Sequence, residues 1–585
     1  MPTTETRGRA HKGSKPSGAA EQRLHARRRR RIYVVLAVSV GVALLLAWRL
    51  TYWQLVAREQ VLRHRAVAQV RPAQQPPRGT IRDRNGYLLA IDTTEYKLGV
   101  SANLVAHAES LAREVAPLIG RPEDELVELF SRNDAYIPIA AGLPYTVGQA
   151  LINLNNPALV IEPVLKRAYP NGPLAAHVLG FVNEAGTGYG VERTMAKWLD
   201  GQVPPNTDAP AAEEIKLGAR PFAPMREGVD IILTLDRNVQ FMAEQELADA
   251  IARYDAEGGT IIVMDPHTGD VLAMANWPSY DPNQYATTPP ELFANPATAK
   301  QYEPGSVFKA ITVASALDSG AISPNLVYRD TGVIEVGGRL IRNWDGGSRG
   351  LITISEILGY SVNTAVAWIN LQLGVERFVE YVRRFGFGEP TNLGLGEEAS
   401  GFIKEPGDGL WHPSDVGTNA FGQGIAVTPI QMIDAYTAFL NDGVVVQPRL
   451  VKAVVNHGHL EETTPRERSR AIAPETARFM QEVLVNAVEL GIENARIEGY
   501  RVGGKSGTAE VPIPGGYHPT DTIASFIGFV PAGAPKFLIL VKLDKPKGVY
   551  RWGSQSAAPT FRRLARRLLT YWNVPPDGSQ TAQRP

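Results

Sequence analysis

The chain has 585 residues, 44% hydrophobic and 21% charged, with 60 Lys and Arg against 60 Asp and Glu. This is the balance of a folded protein long enough for several domains and ample core. It contains no cysteine, which excludes disulfides, thiol nucleophiles and Cys-ligated zinc.

The neutral total hides an asymmetry. Residues 1–31 carry ten Lys and Arg against two Glu. A basic tail therefore precedes an acidic body, and nucleic acid is not the expected partner of the folded part. The tail is rich in Gly, Ser, Arg and Lys and reads as disordered. Ile32 to Trp48 then carries no charge. As a helix those residues span roughly 25 Å, slightly short of a hydrocarbon core of about 30 Å. The pattern extends the anchor helix through Leu50, Tyr52, Trp53 and Leu55, over 32–57, with Arg49 snorkelling to the interface. Arg27 to Arg31 place the N-terminus in the cytoplasm and the large remainder beyond the membrane. A cleaved signal peptide is disfavoured, because Trp48-Arg49 stands where a small-residue cleavage site is wanted.

Residues 58–77 read as a connector, with Pro72 and Pro76-Pro77. Asn85-Gly86 between apolar runs signals a hairpin. Residues 78–228 mix short helices, such as Ala106 to Ile119, with strands and Pro/Gly loops. They hold no catalytic constellation and read as a mixed α/β pedestal, with a loop over Val203 to Ala212. The texture changes over 229–572. Val229 to Leu235 reads as a strand, and Val239, Met242, Ala243, Leu247, Ala250, Ile251 and Tyr254 form one helical face. Thr260 to Met264 and Asp270 to Met274 are two strands about a turn. A helix beside an antiparallel sheet makes an α/β (α+β) sandwich. Thr428-Pro429 starts a helix that Asn441-Asp442-Gly443 closes. Residues 573–585 are a polar tail.

Three short stretches carry chemistry. In Glu303-Pro304-Gly305-Ser306-Val307-Phe308-Lys309, the turn leads into an apolar periodic run, which places Ser306 in the first turn of a buried helix. Lys309, three residues on, shares its face. A desolvated lysine loses its proton readily and can serve as base to the serine, and the helix N-terminus favours a developing oxyanion. Ser-x-x-Lys alone is weak, since about one match is expected by chance in such a length. Tyr360-Ser361-Val362-Asn363 precedes a helix ending at Gly374. A hydroxyl there can pass a proton to a leaving amine, and an amide can hold a substrate amide; both residues also suit a plain helix cap. Gly503-Gly504-Lys505-Ser506-Gly507-Thr508 reads as an edge strand. Its glycines admit a peptide backbone, and Lys505, Ser506 and Thr508 make a pocket for a carboxylate. A phosphate loop is excluded by spacing; a hairpin with a solvated lysine is the other reading. Gly346-Gly347-Ser348-Arg349-Gly350 fits a nucleophile elbow, but extended residues follow it, so a hairpin turn is expected.

Ser-x-x-Lys, Ser-x-Asn and Lys-Ser-Gly-Thr in that order resemble the signature of penicillin-recognising serine enzymes. Arg78-Gly79, Asp83 to Gly86, Tyr169-Pro170 through His177 to Gly180, Gly190-Val191-Glu192, Phe421 to Gly424 and Val427 to Pro429 extend the likeness. The chain is similar to class B penicillin-binding proteins, within them to division-specific peptidoglycan D,D-transpeptidases of the FtsI type, from about Ile32 to Trp572. Ser506 replaces the threonine of many members and keeps the hydroxyl. The resemblance implies a single-pass protein of the cytoplasmic membrane, with a dimerisation-type pedestal and a serine β-lactamase-like transpeptidase domain. It implies catalytic Ser306, Lys309 and Ser361, and substrate-binding Asn363, Lys505, Ser506, Gly507 and Thr508. The backbone N–H groups of Ser306 and Thr508 would form the oxyanion hole. Stem peptides, β-lactams, an FtsW-type membrane polymerase and other divisome proteins are the implied partners, with no cofactor or metal. A lateral-wall transpeptidase and a non-enzymatic scaffold of the same fold are the alternatives. A fused glycosyltransferase and a β-lactamase are disfavoured, the first by the pedestal and the second by the lack of an identifiable deacylating glutamate.

Overall fold

The computed structural model describes residues 18–52, 76–183, 185–201, 227–456 and 458–577. Trp53, Leu55, the connector as far as residue 75, the loop from Val203 to Ala212 and the last eight residues of the tail lie outside the described residues.

The N-terminal helix runs Gly18–Thr51. Within it Tyr33–Thr51 has a mean hydropathy of 2.1, and none of that apolar window is buried in protein. A helix apolar on all sides and exposed needs a nonaqueous environment, and this one is long enough to cross a membrane. The segment expected to be disordered is helical from Gly18 onward. Ala19, Ala20, Glu21, Gln22 and Leu24 are good helix formers, and extending an existing helix costs far less than nucleating one.

The rest divides into two compact units, one holding Glu95–Val164 and the other Gln75–Thr94 with Leu165–Pro585. The stretch read as one pedestal, 78–228, is thus shared between them. In the smaller unit, helices Ala108–Ile119 and Glu123–Phe130 bury Leu111, Val115, Leu126 and Phe130 with Leu98 and Leu151. Pro122 before an acidic first turn and Gly120 in the left-handed conformation account for the break between the two helices.

In the larger unit the Asn85-Gly86 hairpin forms as expected. Gly86 has φ 90°, and the buried Asp83 accepts from the Asn85 and Tyr87 amides, both at 2.8 Å. Its other oxygen accepts from the Arg237 amide at 3.0 Å, fastening the turn to the start of helix Arg237–Tyr254. Arg78 and Arg167 both pair with Glu192, at 2.7 and 2.6 Å, and Arg167 also reaches Asp92 at 3.0 Å. The Glu192 side chain is fully buried, and removing either arginine would leave its charge undercompensated. The Arg78 and Glu192 motifs are therefore structural.

The larger unit is built on a five-stranded antiparallel sheet, in the order Gly503–Ile513, Gly516–Val530, Phe537–Asp544, Gly258–Met264, Val271–Trp277. Side chains alternate across it. Ile261, Val263, Phe526, Ile539 and Val541 face helices Arg237–Tyr254 and Ala557–Tyr571. Ile262, Met264, Ile527, Leu538 and Leu540 face the core that includes Val307, Ile311, Tyr436 and Leu484. Because successive strand residues point to opposite faces, continuous apolar strands demand cover on both sides. The result is an α/β/α sandwich.

Candidate active site

The sheet's free edge and the helices covering its second face bring the three sequence stretches together. Gly305–Phe308 is a 3-10 turn running into helix Lys309–Asp318, so Ser306 lies before the α-helix and not in its first turn. The tightening has an identifiable cause. Gly305 enters at φ 61°, its amide donates to the Gly422 carbonyl at 3.1 Å, and the fully buried Tyr436 donates to the Val307 carbonyl at 2.6 Å. In such a turn residues i and i+3 eclipse, which still stacks Ser306 over Lys309.

Lys309 is fully buried. Lys309 and Ser306 share no side-chain hydrogen bond among the described residues. Lys309 Nζ lies instead 2.6 Å from the Ser361 carbonyl oxygen, 2.7 Å from Asn363 Oδ1 and 3.1 Å from Ser361 Oγ. Helix Asn363–Leu373 begins as expected, without a side-chain cap, so Ser361 and Asn363 are not cap residues. Ser361 has φ 58°, a left-handed conformation that costs a non-glycine residue about 1–2 kcal/mol. That strain turns its hydroxyl toward both lysines.

Gly503–Ile513 is an edge strand. Lys505 is fully buried, and its Nζ lies 3.2 Å from Ser361 Oγ and 2.9 Å from the Ser506 carbonyl. Gly507 serves the packing of the strand. A Cβ there would stand 2.4 Å from Ser525 Oγ and 3.0 Å from Val307 Cγ1, so only glycine lets the strand lie against the Ser306 turn. Thr508 Oγ1 accepts from the Gly553 amide at 3.0 Å, leaving its own proton free to point at a ligand.

Burial, and then the charge of Lys505, push the Lys309 amine well below the ordinary lysine range. Burial brings Lys505 down to about 7. One amine can therefore be neutral, with a lone pair for a serine proton, while the other is poised to become cationic when an anion arrives. A cleft of about 680 Å³ opens over Ser306, Ser361, Asn363, Ser506 and Thr508. Trp344 and Trp552 meet across it, ring centroids 5.3 Å apart.

The Gly346-to-Gly350 stretch is followed by strand Gly350–Thr353, which excludes the elbow, but it is not a hairpin turn. Strand Arg339–Arg342 pairs with Val333–Val336, and Gly350–Thr353 pairs outside them with Val327–Asp330. The glycines connect an inner pair to an outer one.

Sequence reasoning assigned no role to Glu303, whose carboxylate accepts from the Gly424 amide at 2.9 Å and from Tyr517 OH at 3.1 Å. Burial raises its pKa. A charge set beside a buried run was the available signal. Trp552 offered none, because its neighbours in space are remote in sequence.

Residues 259–566 match the penicillin binding protein transpeptidase domain, and residues 73–203 match the penicillin-binding protein dimerisation domain. The chain is 31% identical to stage V sporulation protein D of Bacillus subtilis, over 95% of this chain and 88% of that one. It is 28% identical to peptidoglycan D,D-transpeptidase FtsI of Escherichia coli, over 94% and 92%. The crystal structure of penicillin binding protein 3 from Mycobacterium tuberculosis complexed with aztreonam superposes with a TM-score of 0.66 at 27% identity, covering 86% of this chain and 98% of that one.

Proposed function

The chain belongs to the class B penicillin-binding proteins, peptidoglycan D,D-transpeptidases, and on that premise we propose that it cross-links stem peptides at the division septum through an acyl-enzyme on Ser306. Ser306 Oγ attacks the penultimate D-Ala carbonyl, and neutral Lys309 takes its proton. The peptide C–N bond breaks, and Ser361 relays a proton to the departing D-Ala amine. An amine of a neighbouring strand then attacks the ester, forms the cross-link and returns the proton to Ser306. Lys505, Ser506 and Thr508 hold the donor's terminal carboxylate, Asn363 holds its amide, Gly507 lets the strand approach, and the Ser306 and Thr508 amides receive the oxyanion.

One observation carries the reading: two buried amines, both displaced downward in pKa, converge on the Ser361 hydroxyl. A structural lysine pair would not be kept dry and unpaired with carboxylates. Membrane anchorage with the N-terminus inside is supported by the apolar helix and by the arginines that precede it. Septal duty and docking to an FtsW-type polymerase and other divisome proteins are supported by likeness to FtsI along nearly the whole chain.

Incubation with a β-lactam followed by mass spectrometry tests the chemistry. A single adduct mapped to Ser306 and lost in Ser306→Ala is expected; an adduct that survives in Ser306→Ala removes the proposal.

A further inference from the structure

The hairpin that carries Lys505 to Thr508 is supported by the rest of the sheet along only part of its length. Strand Phe537–Asp544 pairs with the returning strand of the hairpin from Val530 back to Ile523, and Ile523 stands opposite Ala509. The third strand therefore ends one residue beyond Thr508. From Glu510 to Thr522 the hairpin is two strands alone, with a break in register between Glu510 and Pro512. A two-stranded ribbon in water is marginal unless something else fixes it. On one side Thr522 Oγ1 donates to the Arg551 carbonyl at 2.7 Å, and Asp521 pairs with Lys547 at 3.6 Å.

The side toward the nucleophile is fastened through one carboxylate. Glu303 stands three residues before Ser306. The Tyr517 hydroxyl, on the returning strand, donates to it at 3.1 Å, and the Gly424 amide donates to it at 2.9 Å. The residue before Gly424, Gln423, donates in turn to Glu510 at 3.1 Å, two positions past Thr508. Both polar ties from the end of the hairpin thus meet at Glu303, one directly and one through the Gln423-Gly424 backbone. The segment that carries Glu303 is itself held. Tyr302 and Val427 exchange two backbone hydrogen bonds at 2.9 Å, and Gly305 donates to Gly422 at 3.1 Å. Glu303 is half-buried and stands outside the residues that line the cleft, so it is placed to hold the site and not to touch a substrate.

We propose that Glu303 is a positioning residue: it latches the hairpin to the nucleophile turn and so fixes the separation of the two backbone amides, of Ser306 and Thr508, that receive the oxyanion. An oxyanion hole works through donors set in advance where charge develops, and a misplacement of about 1 Å can cost about 10²-fold in rate. The donor's carboxylate is held by side chains and is bound before that charge appears, so slack in the latch falls on the transition state more than on substrate binding. This inference rests on the Ser306 acyl-enzyme proposed above.

The test uses the full chain and a synthetic thioester donor that bears a carboxylate, with rates expressed per active site titrated by a β-lactam. Tyr517→Phe removes the hydroxyl and keeps the ring. It should lower kcat about tenfold and leave KM within about twofold. Glu303→Ala should lower kcat by about 10–10²-fold, and adding Tyr517→Phe to it should slow it no further, because one latch breaks once. Glu303→Gln keeps an oxygen that accepts from both groups, and burial already disfavours the charge there, so this variant should retain kcat within about threefold. A general loss of structure would reduce the number of titratable sites, and the amide would not restore it. Unchanged kcat in Tyr517→Phe, a rise in KM at constant kcat, or a double variant slowed by the product of the two single effects overturns the latch. Should Glu303→Ala not fold, Tyr517→Phe decides alone. If the β-lactam fails to label Ser306 in the wild type, the acyl-enzyme reading falls first and the latch with it; normal labelling with unaltered variants removes the latch only.

Discussion

Lys309 and Lys505 reach the same oxygen, Ser361 Oγ, at 3.1 and 3.2 Å, from a helix and a strand 196 positions apart in sequence. Neither has a carboxylate partner among the described residues. Two like charges this close cannot both persist in a dry site, which is why the proposed mechanism gives one the part of base and the other that of anion receptor.

Replacing the base is the direct check. Lys309→Met keeps the buried stem and removes the amine, so the fold should survive while acylation by a β-lactam slows by about 10²–10⁴. Stopped-flow or timed mass spectrometry measures it, and a folded variant acylating at the wild-type rate would assign the proton to another group.

The pH profile follows from the two shifts. In the proposed mechanism protonated Lys505 receives a carboxylate, and it loses its proton above about 7 in the free protein, so acylation by carboxylate-bearing β-lactams should decline on the alkaline side. An uncharged acyl donor should lack that limb. On the acid side both should slow as Lys309, already displaced downward, takes up a proton. Second-order acylation rates of the two donors from pH 5 to 9 decide it.

Stability should move against activity. Unfolded, the Lys505 amine stays protonated to about pH 10.4, whereas folded it releases its proton near 7. Between those values the unfolded state binds the extra proton, so this group's penalty on the fold diminishes as pH rises. The penalty is on the order of 4 kcal/mol at pH 7 and under about 1 kcal/mol at pH 10. Lys505→Met, less about 1 kcal/mol for each of the two hydrogen bonds lost, should raise Tm at pH 7 and lower it slightly at pH 10. Calorimetry at the two values checks the sign.

Ser361 separates strain from chemistry. Ser361→Ala and Ser361→Gly both lose the hydroxyl and should be similarly slow in acylation. Glycine adopts the left-handed conformation freely, so its variant should be about 1 kcal/mol the more stable of the two. Equal thermal stabilities would mean that the backbone at 361 relaxes when the hydroxyl is gone.

Much of this was legible in order and spacing. The two strands about residues 265–269, the helix opened by Thr428-Pro429 and the edge strand through Lys505 declare themselves by periodicity and caps. Ser306, Lys309, Ser361, Asn363 and Lys505 declare themselves by residue type. What stayed hidden was set by contacts distant in sequence. No local pattern announces a left-handed Ser361, because lysines from elsewhere hold it there. The 3-10 turn at Ser306 depends on Gly422 and Tyr436, and the reason for Gly507 appears only when Val307 lies against it.

Strand Phe537–Asp544 lies between Gly516–Val530 and Gly258–Met264. The edge strand carrying Lys505 is thus joined to the rest of the sheet through a segment near the end of the chain. During synthesis Ser306 and Ser361 emerge long before anything can hold Lys505 beside them, and closing so distant a pairing is slow. The newly made chain is consequently inert until its C-terminal strand inserts. Covalent labelling by penicillin would then act as a clock for the last step of folding.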